Sequence, residues 1–224
     1  MRITSLQPQA TNPDRTSIFT DGQFLMGVST LIVLKMGLRL NQELSKEQVH
    51  QLEMEEALQK ALDRTLNFLA SRPHSREEVR RYLRKKETPA ELIDPVVERL
   101  EQMGLIDDQQ FAQFWIESRE RFNPKGAQAI KNELRTKGIT REVLDEVVTD
   151  EGDEELALRA GRKKAQSLAR QPGIDFNTFR GKLGPFLQRR GFSYAVVKNV
   201  ARTLWDEVAD MVEVVDDDDE GDNE

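Results

Sequence analysis

Glu133-Leu134-Arg135-Thr136-Lys137-Gly138 decides the fold, because the chain repeats it. Tyr82-Leu83-Arg84-Lys85-Lys86 comes before it and Phe186-Leu187-Gln188-Arg189-Arg190-Gly191 after it. The aligned leucines 83, 134 and 187 lie 51 and 53 residues apart. Each is followed by cations, which favour a helix C-terminus. In two of the three segments a glycine then stands where a left-handed cap belongs. A period of about 50 residues fits a structural repeat of roughly three short helices.

Working outward, the caps mark the pieces. Ser75 with Glu78 forms a capping box, and Val79, Tyr82 and Leu83 supply the buried stripe behind it. Thr88-Pro89-Ala90-Glu91 reads as a second box with proline at the first helical position. Ile93, Val96, Val97, Leu100 and Met103 continue that stripe to Gly104, with Pro95 expected to kink or restart the helix. Asp107 or Asp108 caps a helix carrying Phe111, Ala112 and Trp115. Ile130 and Leu134, then Leu144, Val147 and Val148, complete the middle unit. The last unit draws on Leu156, Ala160 and Leu168, then Phe176, Phe179, Leu183 and Leu187. Its final helix is capped by Ser193 and carries Val196, Val200 and Leu204. Gly184-Pro185 sits awkwardly inside that unit's second helix, which is expected to start or bend at Pro185.

The first fifty residues differ. Asp21-Gly22 stands between Ser17-Ile18-Phe19-Thr20 and Gln23-Phe24-Leu25-Met26, a hairpin signal because a type I′ turn needs positive φ at both central residues. A short helix from about Ser29 and another opened by Ser45 follow. The expected architecture is mainly α: three tandem three-helix repeats, a small N-terminal β-hairpin element and a disordered acidic C-terminal tail. The boundaries are 1–50 for the extension, 51–106, 107–152 and 153–210 for the repeats, and 211–224 for the tail.

Composition fits small modules better than one deep core: 38% of the 224 residues are hydrophobic and 33% charged. There is no cysteine, which removes disulfides and thiolate chemistry and suits a reducing compartment. Phe24–Leu38 is too short and polar to span a bilayer, and Met1-Arg2-Ile3-Thr4 leads into no signal-peptide core. A soluble, cytoplasmic protein with no membrane partner is expected.

The formal charge of −7 is unevenly spread. Residues 206–224 hold 11 acids and no base, leaving +4 for residues 1–205. Residues 159–202 hold 11 Lys/Arg against Asp175 alone. A basic block before an acidic tail suits a polyanionic or acidic partner, with the tail as competitor; for the tail alone, a solubilising role is the simpler account.

Catalytic chemistry is not evident. His50 and His74 lack metal-ligand spacing and read as surface or cap-adjacent residues. No phosphate-cradling glycine loop occurs. Asp107-Asp108 does not make a facing acid–base pair on a helix. No cofactor and no metal are expected.

These residues resemble the RecX family. The resemblance runs through Arg72-Pro73-x-Ser75-x-x-Glu78, then Gly104-Leu105-Ile106-Asp107-Asp108-x-x-Phe111-Ala112, Trp115 and Arg119. Gly126, Ile130, Leu134-x-x-Lys137-Gly138-Ile139 and Leu187-x-Arg189-Arg190-Gly191-Phe192 follow. It spans roughly residues 55–205 and is strongest over 64–140. It implies a curved, elongated, monomeric body lying along the RecA–DNA filament and restraining recombination, RecA's ATP hydrolysis and filament growth, in the setting of DNA repair and the SOS response. Some relatives bind DNA, so single-stranded DNA is an expected partner and double-stranded DNA a further candidate. Gly184-Pro185 and the acidic tail depart from the family pattern. The motif residues Arg72, Pro73, Ser75, Glu78, Asp107, Asp108, Phe111 and Gly138 are expected to be structural.

The candidate contact residues are Arg162, Lys163, Lys164, Arg180, Lys182, Arg189, Arg190, Lys198 and Arg202, with Arg76, Arg80 and Arg84 as a second set. Arg189 and Arg190 can equally serve as helix C-terminal charges. One competing reading is a sequence-independent DNA-binding protein of tandem helix-turn-helix-like units. Against it, the aromatics fall at core spacing instead of forming an exposed stacking platform. A helical-repeat scaffold with an unrelated partner is a third reading.

Overall fold

Asp21 and Gly22 take φ of 50° and 79°, the two positive values that a tight hairpin needs. In the computed structural model, which describes residues 1–216 and side chains through residue 209, they join β2 (Asn12–Thr20) to β3 (Gln23–Ser29). A further strand, β1 (Ile3–Gln9), pairs antiparallel with β2, so the expected hairpin is two strands of a three-stranded meander ordered β1-β2-β3. Ser29 caps the short helix α1 (Thr30–Lys35) by accepting from the Leu31 amide. Ser45 and Gln48 form a reciprocal capping box at the start of α2 (Lys46–Leu69).

The chain divides into two units, one of residues Met1–Arg72 with Val79–Ile106, the other of Pro73–Glu78 with the chain from Asp107 onward. In the first, α2 serves two cores. Val49 and Leu52 close over Ile3, Ile18, Val28, Ile32, Leu38 and Leu44. Ala61, with Leu58, Leu62 and Phe68, packs against Val79 and Leu83 of α3 (Arg76–Lys85) and Ile93, Val96, Val97 and Leu100 of α4 (Ala90–Gln102). The helix passes through residue 50 without a break. Glu56, 3% exposed, fastens it to the sheet by accepting from Arg15 at 2.6 Å and from the Ser29 amide at 2.9 Å.

The second unit holds two three-helix groups: α5 (Asp108–Phe122), α6 (Ala127–Thr136) and α7 (Arg141–Val147), then α8 (Asp153–Ala169), α9 (Phe176–Arg189) and α10 (Tyr194–Asp216). Leu83, Leu134 and Leu187, the landmarks of the repeat, are 1%, 0% and 0% exposed, each in its own group's core. Full burial of such a leucine is worth about 1.5–3 kcal/mol, so the repeated position anchors each unit.

Several expectations need correction. Thr88 does not cap α4: the N-cap is Pro89, and the buried Thr88 hydroxyl has no hydrogen-bond partner. Pro89 holds its own φ at −49°, and the helix starts one residue later than the box requires. Pro95 lies inside one continuous helix and does not restart it. Met103 is 52% exposed, because α4 ends at Gln102 and Met103 is already its cap. On α8 the buried face is Ala157, Gly161, Ala165 and Leu168, while Leu156 and Ala160 are half-buried at its margin. The small residues let α10 come close: a Cβ on Gly161 would lie 2.7 Å from Leu204 Cδ1. Helix α9 starts at Phe176, nine residues before Pro185, with Asp175 capping the Thr178 amide at 2.7 Å. Pro185 lacks the N–H that would reach the Gly181 carbonyl, and Gly181 is exposed, so water can take the place of that donor. Helix α10 continues to Asp216, through residues 211–216 of the expected tail; the rest of that tail, 217–224, lies outside the described residues.

Candidate functional site

In the second unit the motif residues gather at one junction. The Ser75 hydroxyl accepts from the Glu78 amide at 3.1 Å and donates to the Lys137 carbonyl at 2.7 Å. The Arg76 amide donates to Asp108 at 2.8 Å, while Asp107 caps α5 through the Gln109 and Gln110 amides. Glu78 receives Lys137 at 2.6 Å and lies 3.0 Å from His74 Nδ1. His74 is cap-adjacent as expected, but 4% exposed and not on the surface, because its ring partners Glu78. Gly138, at φ 85°, ends the arrangement; Phe111 is fully buried in the core of the α5–α7 group, Arg72 is half-buried and Pro73 exposed.

Trp115 is the hub beside this junction. The Lys137 ammonium lies 4.7 Å and the Arg119 guanidinium 4.4 Å from its ring centroid, and its Nε1 donates to Glu133 at 2.7 Å. Glu133 also accepts from Arg119 at 2.8 Å and from Lys125. Burial raises the Glu133 pKa, but the hydrogen bonds from Lys125, Arg119 and Trp115, with the Arg119 charge, outweigh it and hold the carboxyl below its ordinary value. Arg119, Lys125 and Lys137 are thus each matched to a carboxylate, which makes the cluster a fastening and not a surface for an anion.

A second junction repeats the first. The Gly126 amide donates to the Arg190 carbonyl at 2.9 Å, and a Cβ on Gly126 would lie 2.5 Å from the Gly191 carbonyl oxygen. The Arg190 guanidinium donates to Asn123 Oδ1 at 2.7 Å and the Pro124 carbonyl at 3.2 Å, and sits 4.8 Å from the Phe186 ring. Asp153 accepts from the Ala127 amide, and burial raises its carboxyl pKa against that bond.

The expected contact residues separate into two kinds. Arg190 is half-buried in the junction just described. Arg162 forms a two-point pair with Glu207 at 3.1 Å, and Arg202 reaches Asp206 at 3.9 Å; both acids lie beyond the basic block in sequence. Arg80 is held by Asp94 at 2.8 Å. Arg76 and Arg84 are exposed on α3 and have partners of their own. Lys182 donates to Gln171 at 2.7 Å, and Arg180 lies 6.0 Å from the Phe176 ring. Lys163, Lys164, Arg189 and Lys198 carry no ion pair among the described residues. Two aromatics escaped the sequence reading: Phe122 and Tyr194 are 76% and 71% exposed, at the end of α5 and the start of α10. Helix ends lie outside the periodic stripe, so periodicity carries no signal for them.

Among the described residues, no helix is long and apolar enough to cross a membrane and no group of three or more His, Asp or Glu is placed to hold a metal ion.

Comparison with known proteins agrees with the repeat organisation. Residues 1–45 match the Regulatory protein RecX N-terminal domain. Residues 61–100, 107–148 and 151–200 match the first, second and third three-helix domains of RecX. A regulatory protein RecX of Listeria monocytogenes (serotype 4b, strain F2365) is 28% identical over 217 residues, covering 96% of this chain and 81% of the relative. That of Bacillus subtilis (strain 168) is 28% identical, covering 87% and 74%. A crystal structure of a regulatory protein RecX has the same fold, with a TM-score of 0.76 at 24% identity over 93% of this chain and 98% of that one. The Lactobacillus salivarius RecX structure gives 0.59 at 24% identity over 67% and 97%. With four successive RecX domain matches along most of its length, the chain belongs to the RecX family of regulatory proteins.

Proposed function

We propose that this chain is a non-catalytic, monomeric, cytoplasmic regulator that binds the RecA–DNA filament and restrains its recombinase and ATPase activities, touching DNA through its last three-helix group. The observation that carries the reading, beside family membership, is a group of cations on α8, α9 and α10 without ion partners among the described residues: exposed Lys163, Arg189 and Lys198, with half-buried Lys164. A surface that keeps positive charge unmatched is suited to phosphate or to acidic protein surface. The second reading, sequence-independent binding to bare DNA, draws on the same cations.

The test is suppression of RecA's DNA-dependent ATP hydrolysis by the full chain. Charge reversal at Lys163, Arg180 and Lys198 together is expected to weaken suppression while leaving the fold intact, since all three are exposed. A folded triple variant that inhibits at wild-type concentrations removes this surface from the reading. Co-sedimentation with RecA–single-stranded-DNA filaments, beside a gel shift on bare DNA at two salt concentrations, separates the two readings. Tighter capture by filaments than by bare DNA favours the regulator, and equal binding to both favours the alternative.

A further inference from the structure

We infer that Phe122 and Tyr194 form a base-stacking site for single-stranded nucleic acid at the junction between the last two three-helix groups. This rests on the DNA-contact reading and adds to it which residues meet the bases.

Phe122 and Tyr194, 76% and 71% exposed, are the two most exposed aromatic side chains among the described residues. Phe122 follows Glu120, whose carbonyl accepts from Arg159 of α8 at 2.8 Å, and precedes Asn123, whose side chain accepts from Arg190 at 2.7 Å. The ring therefore emerges between two anchored residues. Tyr194 comes four residues after Arg190 and opens α10, so the two residues belong to segments that meet at the Gly126–Arg190 hydrogen bond. The 122–126 segment cannot drift from Arg190, because the Gly126 amide is bonded to the Arg190 carbonyl at 2.9 Å.

The charge around these rings selects the ligand. The Arg121 guanidinium lies 5.2 Å from the Phe122 ring centroid. Lys163 follows Arg159 by one helical turn, and Lys198 follows Tyr194 by one turn, so each shares a helix face with its neighbour. The exposed acids of α5 and α8 include Glu117, Glu120, Glu154 and Glu155. Aromatic faces beside unmatched cations are what successive unpaired bases and their phosphates require. A stacked duplex offers its phosphates to the cations but no base face to the rings. An acidic peptide would use the cations and leave both rings idle.

The experiment uses the full chain and fluorescence anisotropy with a labelled oligothymidine, titrated at several salt concentrations. Phe122→Ala and Tyr194→Ala are each expected to weaken binding about tenfold, and together roughly a hundredfold, with the melting temperature unchanged. The salt slope should be preserved, since it reads phosphate contacts and not stacking. Replacing both rings by tryptophan should restore affinity, because any π-face serves. Wild-type protein that binds and a double alanine variant that binds equally well would overturn this inference and leave the DNA-contact reading standing. Wild-type protein that fails to bind at low salt would overturn the DNA-contact reading, and this inference with it.

Discussion

Gly138 presents bare backbone to Glu77: a Cβ added to Gly138 would overlap the Glu77 Cβ. The glycine therefore answers two demands at once, a φ of 85° and a close approach between α3's first turn and the end of α6. Gly152, at φ 82°, meets only the first demand, since nothing lies within 4 Å of an added Cβ. Gly152→Ala should cost about 1–2 kcal/mol from left-handed strain alone. Gly138→Ala should cost that plus about 1–3 kcal/mol of overpacking. Denaturant unfolding of the two variants checks the difference, and equal losses would mean that the junction yields to a methyl group.

Glu87 occupies the matching turn of the first repeat, where the second and third have Gly138 and Gly191. It adopts φ of 55° despite its side chain. Glu87→Gly should therefore stabilise the chain by roughly 0.5–1 kcal/mol, the released strain being partly offset by glycine's extra freedom when unfolded. The denaturation midpoint reads this directly; a drop would show that the Glu87 side chain makes a contribution larger than its strain.

The repeat was legible in the sequence because its signals are local. Leu83, Leu134 and Leu187 keep their place relative to a basic, often glycine-terminated helix end, and all three are buried. What escaped depends on partners distant in sequence. Nothing near Glu56 foretells Arg15, 41 residues away, as its partner. The charge balance of the basic block hides the partner of Arg162, because Glu207 lies 45 residues away and beyond the block. On α8 the hydrophobic pattern favoured the larger Leu156, whereas close approach of α10 selected the small side of that helix. The candidate site was legible only as a charge balance: composition located the cations, but pairing distances were needed to tell Arg162 and Arg190 from Lys163 and Lys198.

The two perturbed carboxyls of the second unit should respond to pH with opposite sign. Glu133 is held below its ordinary 4.5, so its stabilisation is complete above that value and is lost as pH falls through the depressed folded value. Asp153 is raised above 3.8 by burial, so its charge opposes folding at neutral pH and the penalty disappears once it is protonated. Glu133→Gln should therefore destabilise at neutral pH, with a loss that shrinks in acid. Asp153→Asn keeps an acceptor for the Ala127 amide and should stabilise at neutral pH, with a gain that fades as pH falls through the raised value. Unfolding midpoints between about pH 7 and pH 3 distinguish the two; parallel curves would contradict both assignments.

Arg190 and Lys198 offer the sharpest contrast between a cation that builds the fold and one that is free to bind. Arg190 is half-buried, donates to Asn123 and Pro124, and covers the Phe186 ring. Removing it strands two acceptors and uncovers an aromatic face, so Arg190→Ala should destabilise the chain by about 1–3 kcal/mol. Arg190→Lys should recover little, because a point ammonium does not reproduce the fork that reaches both acceptors while lying on the ring. Lys198 is exposed and has no ion pair among the described residues, so Lys198→Glu should change stability by no more than about 0.5 kcal/mol. It should nevertheless weaken suppression of RecA's ATP hydrolysis, most visibly at low ionic strength, where exposed charges are least screened. Unfolding and inhibition measured on the same preparations make the comparison. Should Lys198→Glu unfold the chain, or Arg190→Ala leave it as stable as the parent, the division between structural and binding cations would be drawn in the wrong place.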